Sequence, residues 1–141
     1  MSKTVPSFHP ELYRISRLSG SSDGRLEIDG QKSGAPNRRI ILDQKGLRVT
    51  DAKIIYIQKN KQIEHQVIRI NHLPSKQEVR LHTGSPLYPG SYHIEMTYSP
   101  VDLKAISELE GKSLAKINLR DLMPSFDTPE EKEDIKLEIT T

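Results

Sequence analysis

The chain has 141 residues, a length that fits one domain with its own core. Its hydrophobic content of 34% lies on the polar side of globular, but apolar clusters recur throughout, which argues against disorder of the whole chain. The 21 basic and 19 acidic residues give a formal charge of +2. This balance argues against a nucleic-acid binder, and the absence of cysteine excludes disulfides and thiolate sites.

The first residues contain no apolar signal segment, and no run of 18 apolar residues occurs. We therefore expect a protein without membrane partners, and a cytoplasmic location.

Short apolar runs bounded by turn residues predict a series of strands in the first third of the chain. Tyr13 and Ile15 lie in a first strand, and Leu26 and Ile28 in a second. We expect the second strand to stop at Asp29-Gly30, because this dipeptide favours tight turns. A third strand is expected at 39–42, between the turn-forming segments 34–37 and 43–46.

The segment 47–58 predicts a strand that is apolar on both faces. Ile54 and Tyr56 lie on one face, and Ile55 and Ile57 lie on the other. A strand of this kind is usually central and buried from two sides. Asn60 then marks a hairpin turn into a partner strand at 63–70.

The second half of the chain predicts fewer and clearer elements. Residues 79–82 form a short strand, and strict alternation over 92–98 predicts the cleanest amphipathic strand of the chain. Residues 102–118 allow one or two helical turns. Alternation over 135–139 predicts a closing strand.

About eight strands with almost no helix predict an all-β fold. We expect an antiparallel β-sandwich or a saddle-like double sheet, with a short helical turn near the C-terminus. The domain organisation is then a flexible N-terminus at 1–8 and a single domain over 9–141.

The segment 123–132, MPSFDTPEEK, resembles the motif F-P-C-F-D-E-P-x-x-K. The matching positions are Pro124, Phe126, Asp127, Pro129 and Lys132. This motif closes the N-terminal β-domain of aminopeptidase N-type zinc peptidases. The segments 9–15, 40–52 and 87–98 are similar, in the same order, to three further strand segments of that domain. The resemblance implies the fold of that domain without its catalytic partner.

The groups that carry catalysis in those peptidases have no counterpart here. The chain contains neither H-E-x-x-H nor G-x-M-E-N. In those peptidases a T-Q-x-E segment seven residues before an Arg helps to grip the peptide amino end. If Arg120 is that Arg, Ser113 and Ala115 stand in place of the Gln and Glu. We therefore expect no catalytic residue, no metal ligand and no cofactor.

The closing motif has a structural interpretation and a functional one. Phe126 is expected to pack inward, and Asp127 to cap a short helical turn that Pro129 begins. Lys132 would pair with an acid or with the end of that turn. The structural interpretation is favoured, and a functional role for Asp127 is the alternative.

Histidines and tyrosines are the other candidate groups. The five histidines are irregularly spaced, and only His82 and His93 are expected on neighbouring strands. His93 and Glu95 share one face of a strand, which we expect to point to solvent. Tyr92 and Tyr98 are expected in the core rather than in an exposed aromatic platform with Tyr88.

These observations favour a non-catalytic binding or scaffold module that acts through its sheet surface or an exposed edge strand. They do not indicate which residues form the contact surface. The resemblance implies a separately encoded peptidase domain, or another protein, as partner. One alternative function is an accessory half of a split zinc aminopeptidase that helps to select peptide substrates. Another is a stand-alone enzyme with an unrecognised site.

Overall fold

The computed structural model describes residues 5–18, 20–126 and 135–140. Within these residues the fold is all-β, as predicted, with eight strands, one short α-helix and two 3₁₀ turns. The strands are β1 (Ser7–Arg17), β2 (Gly24–Ser33), β3 (Asn37–Asp43), β4 (Arg48–Gln58), β5 (Lys61–Leu73), β6 (Glu78–Leu87), β7 (Gly90–Ser99) and β8 (Lys136–Thr140). The helix α1 is Leu103–Ser107, and the 3₁₀ turns are Pro74–Lys76 and Leu119–Asp121.

The strands form one sheet in the order β3-β6-β5-β4-β7-β2-β1-β8. Every neighbouring pair is antiparallel except β1 and β8, which are parallel, so the sheet is mixed rather than purely antiparallel. β7 and β8 therefore run in the same direction. Such strands need a long connection that crosses the sheet, and residues 100–126, which include α1, belong to it.

The sheet curls because β5 changes its partner along its length. Its first residues, up to Gln66, pair with β4, and from Val67 onward it pairs with β6. A register shift between Val67 and Arg69 accompanies the change. The predicted double sheet is thus one sheet with two halves. We call them the β3 half (β3, β6 and the end of β5) and the β7 half (β4, β7, β2, β1 and β8).

The core is formed by alternate residues on the inner faces of both halves. The predicted alternation of β7 is confirmed, because Tyr92, Ile94, Met96 and Tyr98 are all at most 3% exposed. Residues such as Leu42 of the β3 half belong to the same buried cluster. Burial of apolar side chains from both halves is the main stabilising contribution.

The predicted turn at Asp29-Gly30 is wrong, because β2 continues to Ser33. Gly30 pairs with β1 and β7 inside the sheet, and its missing side chain leaves room for a neighbour. A Cβ there would lie 2.5 Å from the carbonyl oxygen of His9 and 2.6 Å from the ring of Phe8. Glycine is therefore needed here for close approach and not for a turn.

The strand β4 is central, as predicted, but it is buried on one face only. Ile54 is fully buried, whereas Ile55 is half-buried and Ile57 is 37% exposed. The curl explains the difference: the β3 half covers the inner face of the sheet, and the outer face remains in solvent.

Other predicted elements fall at the expected places. The hairpin turn at Asn60 and the helical turn within 102–118 are present, the latter as α1 with Asp102 accepting a hydrogen bond from the Ala105 backbone N–H. Strand structure begins at Ser7, inside the segment 1–8 that was predicted to be flexible. In the described part of the chain, no helix has both the length and the apolar character needed to cross a membrane.

Candidate binding site

The closing segment links β1 to β3. Ser125 pairs with Asp43 at the end of β3 through two backbone hydrogen bonds of 2.7 and 2.9 Å. The ring of Phe126 stacks on Phe8 of β1 with 4.7 Å between ring centroids. The backbone N–H of Phe126 donates a hydrogen bond to the Tyr13 hydroxyl at 3.0 Å. The segment therefore joins the two halves of the sheet.

The predicted inward packing of Phe126 is confirmed, because the residue is 6% exposed. Pro124 is also buried. The remaining motif residues Asp127, Pro129 and Lys132 lie outside the described residues, as does the helical turn predicted beside them. Their expected roles stay predictions.

A groove runs beside β3, starting where Ser125 leaves it. We call it the β3 groove, and its volume is about 240 Å³. Its lining includes the apolar side chains of Phe8, Ile40, Ile41 and Phe126 and the polar side chains of Lys32, Asn37 and Arg39. Both halves of the sheet contribute, because Phe8 and Lys32 belong to the β7 half.

The backbone of β3 is unpaired along this groove. β3 is an edge strand, with β6 as its neighbour on the other side. Because Asp43 directs its N–H and C=O to Ser125, alternation directs those of Ile41 and Arg39 to the same free edge. In the described structure these groups have no backbone partner. The Asp43–Ser125 pair is thus the first rung of a ladder whose next two positions on β3 have no partner among the described residues.

Lys32 is the most buried charged side chain of the groove. It lies on the inner face near the end of β2 and is only 5% exposed. Its ammonium has one contact, with the carbonyl oxygen of Ala35 at 3.5 Å, and no carboxylate within the described ranges pairs with it. Burial lowers the pKa of Lys32, because it disfavours the charged form.

Asn37 brings a second unsatisfied group to the groove. Its side-chain oxygen Oδ1 is buried and lacks a hydrogen-bond partner among the described residues. An unpaired buried polar atom is costly, and each one in a folded protein asks for an explanation. Among the described residues, the groove therefore holds a cation without a carboxylate partner and an acceptor without a donor.

The histidines do not form a common site. His82 on β6 and His93 on β7 were predicted on neighbouring strands, which is wrong because β5 and β4 lie between them. His65 contacts the Ser85 hydroxyl at 3.1 Å, and His72 Nε2 accepts the Val49 backbone N–H at 3.0 Å.

The position of His93 also corrects the prediction in part. It shares the outer face of β7 with Glu95, as expected, but it does not simply point to solvent. Its side chain is 17% exposed, and its Nδ1 lies 2.5 Å from the Asp29 carboxylate.

The tyrosines follow the core interpretation. Tyr92 and Tyr98 are buried and donate hydroxyl hydrogen bonds to the carbonyl oxygens of Tyr88 and Leu122. Burial raises the pKa of both hydroxyls. Tyr88 is 55% exposed, so the three residues do not form a shared aromatic platform.

No protein-family model matches the chain, and no curated protein sequence matches it. The similarity to the aminopeptidase N-terminal domain therefore stays a prediction that depends on four short segments. The candidate site depends on the geometry of the chain itself.

Sequence reasoning missed Lys32, Asn37 and Arg39. One signal was available: the inward positions of β2 continue beyond Ile28 through Gly30 to Lys32. The expected turn at Asp29-Gly30 interrupted that alternation and placed Lys32 in a loop.

Proposed function

We propose that this chain is a non-catalytic binding module that accepts an extended peptide of a partner protein as an added strand along β3. The observation that carries the proposal is the edge of β3 at Arg39 and Ile41, which continues the Asp43–Ser125 rung and has no backbone partner among residues 5–18, 20–126 and 135–140. Addition of a strand to an exposed sheet edge is a general mode of peptide recognition, in which main-chain hydrogen bonds give affinity.

The polar groups of the groove specify the chemistry of the peptide. Lys32 and Arg39 both offer donors to an anion, and Arg38 lies beside them on the exposed edge. A carboxylate of the peptide, from Asp, Glu or the chain end, would give the buried ammonium an anionic partner, which it does not have among the described residues. Asn37 Oδ1 would accept a peptide N–H. The preferred ligand is an extended acidic segment.

The apolar side chains specify the alternate positions of the same peptide. Residues of an added strand point in turn toward and away from the interior. The exposed edges of Phe8, Ile40 and Phe126 form the inner wall of the groove, so small apolar residues suit the inward positions. The expected ligand alternates acidic residues, which point outward beside Arg39, with apolar residues, which point inward, and the carboxylate of its chain end reaches Lys32 on the inner face.

The resemblance to the peptidase domain suggests one kind of partner, a separately encoded catalytic domain in the cytoplasm. In that alternative, the chain is the accessory half of a split zinc aminopeptidase and the added strand comes from the catalytic domain. This alternative depends on the resemblance alone. It differs from the main proposal in requiring an H-E-x-x-H sequence in the partner.

The proposal is tested by fluorescence anisotropy of labelled eight-residue peptides with the purified full chain. A peptide that alternates Glu and Val is expected to bind, and a matched Lys and Val peptide is not. N-methylation of the peptide residues whose backbone N–H groups point to β3 should abolish binding. N-methylation of the intervening residues, whose N–H groups point away from β3, should leave most of the binding. Equal loss from both methylation patterns would exclude strand addition.

Two further measurements bear on the same proposal. The peptide should be recovered with unchanged mass after incubation with the chain and added zinc, because the module is non-catalytic. A single-stranded oligonucleotide that displaces the acidic peptide at equal concentration would contradict the choice of a protein partner.

A further inference from the structure

A second group of polar side chains lies on the outer face of the β7 half, away from the β3 groove. Two cross-strand pairs form it, Glu27 opposite Glu95 and Asp29 opposite His93. Residues two apart on a strand share a face, so all four side chains lie together. We call them the β2–β7 cluster.

Three atoms of the cluster converge on one point. His93 Nε2 lies 3.1 Å from Glu95 Oε2 and 3.5 Å from Glu27 Oε2. One ligand atom of each residue lies within 4.8 Å of the others. Ligand atoms held about 2.1 Å from one ion lie about 3.0 to 3.4 Å apart when they subtend angles between about 90 and 109 degrees. The two spacings from Nε2 are close to that range, and the two carboxylate oxygens lie within 4.8 Å of each other.

Asp29 determines which nitrogen of His93 faces the carboxylates. An ionised carboxylate only accepts hydrogen bonds, so a neutral His93 ring that donates to Asp29 across the 2.5 Å contact carries its proton on Nδ1. The Nε2 lone pair then points at two carboxylate oxygens, which are also electron-pair donors. Three electron-pair donors that face one another in this way repel unless a cation lies between them. A carboxylate behind a histidine is a frequent arrangement at metal ions.

Arg25 orients the two glutamates from the opposite side. It contacts Oε1 of Glu95 at 3.0 Å and Oε1 of Glu27 at 3.8 Å. In both residues the second oxygen, Oε2, is the one turned to His93. Arg25 therefore holds each carboxylate without using the oxygen that faces Nε2, as expected of an outer partner of a ligand, whereas Arg14 Nη1 lies 3.8 Å from Oε2 of Glu27 and competes with an ion for that oxygen.

We propose that Glu27, His93 and Glu95 form a binding site for one divalent transition-metal ion, with Asp29 as the positioning residue behind the histidine. One imidazole and two carboxylates suit Zn²⁺ and Mn²⁺. The side chains are between 17% and 25% exposed, which leaves room for water as further ligands. The ion would connect β2 to β7 at the middle of the β7 half.

A proton on Nε2 is the competing explanation, because an imidazolium could neutralise the same two carboxylates. The two explanations differ in what a metal ion does near neutral pH. An ion that binds the folded chain only must raise the unfolding temperature, and it must take the place of the proton.

In the first experiment the full chain is titrated at pH 7.5 with Zn²⁺ and, separately, with Mn²⁺. Calorimetry measures the binding, and thermal unfolding measures the change in stability. We expect one ion per chain, with at least 100-fold weaker affinity in His93→Gln. Asp29→Asn should weaken binding by about 10- to 100-fold, as loss of an outer partner does. His82→Gln, the same change on the β3 half, is the matched control and should bind as the unchanged chain does.

The second measurement does not depend on how well a variant folds. In the unchanged chain with ¹⁵N-labelled histidine, Zn²⁺ should shift the Nε2 resonance of His93 while Nδ1 keeps its proton. A site that holds only a proton would show no zinc-dependent shift of this resonance, which would overturn the proposal. Equal zinc affinity in His93→Gln and the unchanged chain would overturn it as well.

The two proposals fail separately. Peptide binding is read at the β3 groove and metal binding at the outer face of β2 and β7, so a negative result in one assay leaves the other intact.

Discussion

The β2–β7 cluster and the β3 groove differ in how their charged side chains are paired. In the cluster, Glu27 and Glu95 are cross-strand partners of like charge, but the acidic groups face a histidine and Arg25. In the groove, Lys32 is buried beside apolar rings with no acidic partner in the described part of the chain, and Asn37 Oδ1 has no hydrogen-bond donor there. Packing alone does not account for the second arrangement. The comparison indicates that the groove lowers the stability of the free chain, a cost that the proposed peptide would offset.

The burial of the charged side chains determines how much each region changes the free energy of unfolding. The charged side chains of the cluster are partly exposed, and pairs of that kind each contribute up to about 1 kcal/mol. Lys32 is 5% exposed, so removing its ammonium from water costs more free energy than one such pair contributes. The predictions below break or sharpen this contrast, in order of decreasing effect.

The largest effect is expected from Phe126→Ala, which removes the wall shared by the groove and the core. Loss of a buried aromatic side chain costs about 3 to 5 kcal/mol of unfolding free energy. Urea unfolding measures it, with Ile57→Ala on the exposed outer face as the control. Because the two rings stack, Phe8→Ala and Phe126→Ala should not be additive. A loss below about 1 kcal/mol for Phe126→Ala would contradict the described packing.

Gly30→Ala tests the close approach that lets Phe8 enter the groove. The added methyl group would meet a backbone carbonyl, so we expect a loss of about 2 kcal/mol or more. Gly84→Ala is the matched control, since its nearest neighbour would be the Ile68 side chain at 3.8 Å. The control should leave the urea midpoint unchanged or raise it slightly. Equal effects at both positions would show that Gly30 has no special role.

Lys32→Met and Arg25→Met compare the two regions directly. Lys32→Met removes an unpaired buried charge and should raise the unfolding free energy by about 1 kcal/mol while abolishing binding of the acidic peptide. Arg25→Met should lower stability by up to about 1 kcal/mol and leave peptide binding unchanged. Urea unfolding and peptide anisotropy on the same samples measure both. A destabilised Lys32→Met would show that the lysine has a stabilising role in the free chain.

The smallest effect concerns pH and His72, which lies where β5 has left β4. Burial and the charge of Arg48 lower the pKa of His72, and its Nε2 must stay unprotonated to accept the Val49 N–H. The stabilisation is therefore complete above the ordinary pKa of about 6.5. It is lost as the pH falls from there through the lowered value, because the unfolded chain takes up the proton first.

The measurement is the difference in urea midpoint between pH 7.5 and pH 5.5. The unchanged chain should be less stable at pH 5.5, and His72→Gln should reduce the difference. The pKa of His65 and of His82 is also lowered, so part of the difference should remain. An unchanged pH dependence in His72→Gln would contradict the assignment.

Elements that depend on local pattern were predictable from the sequence. The alternation over 92–98 and the inward position of Phe126 follow from side-chain periodicity alone, and both are confirmed. The turn at Asp29-Gly30 was wrong because the requirement for glycine there comes from Phe8, about twenty residues earlier in the chain.

The β2–β7 cluster and the β3 groove depend on the register between paired strands, which the sequence of a single strand does not determine. Asp29 meets His93, 64 residues later, because β2 pairs with β7 in one register. A shift by one residue would turn each of these side chains to the other face of its strand. Likewise, Lys32 and Arg39 reach one groove only because β5 changes its partner and curls the sheet.

The rung between Asp43 and Ser125 has a further consequence, for the behaviour of many copies in solution. An open strand edge invites copies of a protein to join edge to edge into fibrils. Here Ser125 blocks one end of β3, and two copies that paired at the remainder would bring Arg38 and Arg39 of each close to the same residues of the other. This repulsion opposes growth of such assemblies, so the arginines that we propose as contacts of an acidic peptide also oppose edge-to-edge association of copies of the chain.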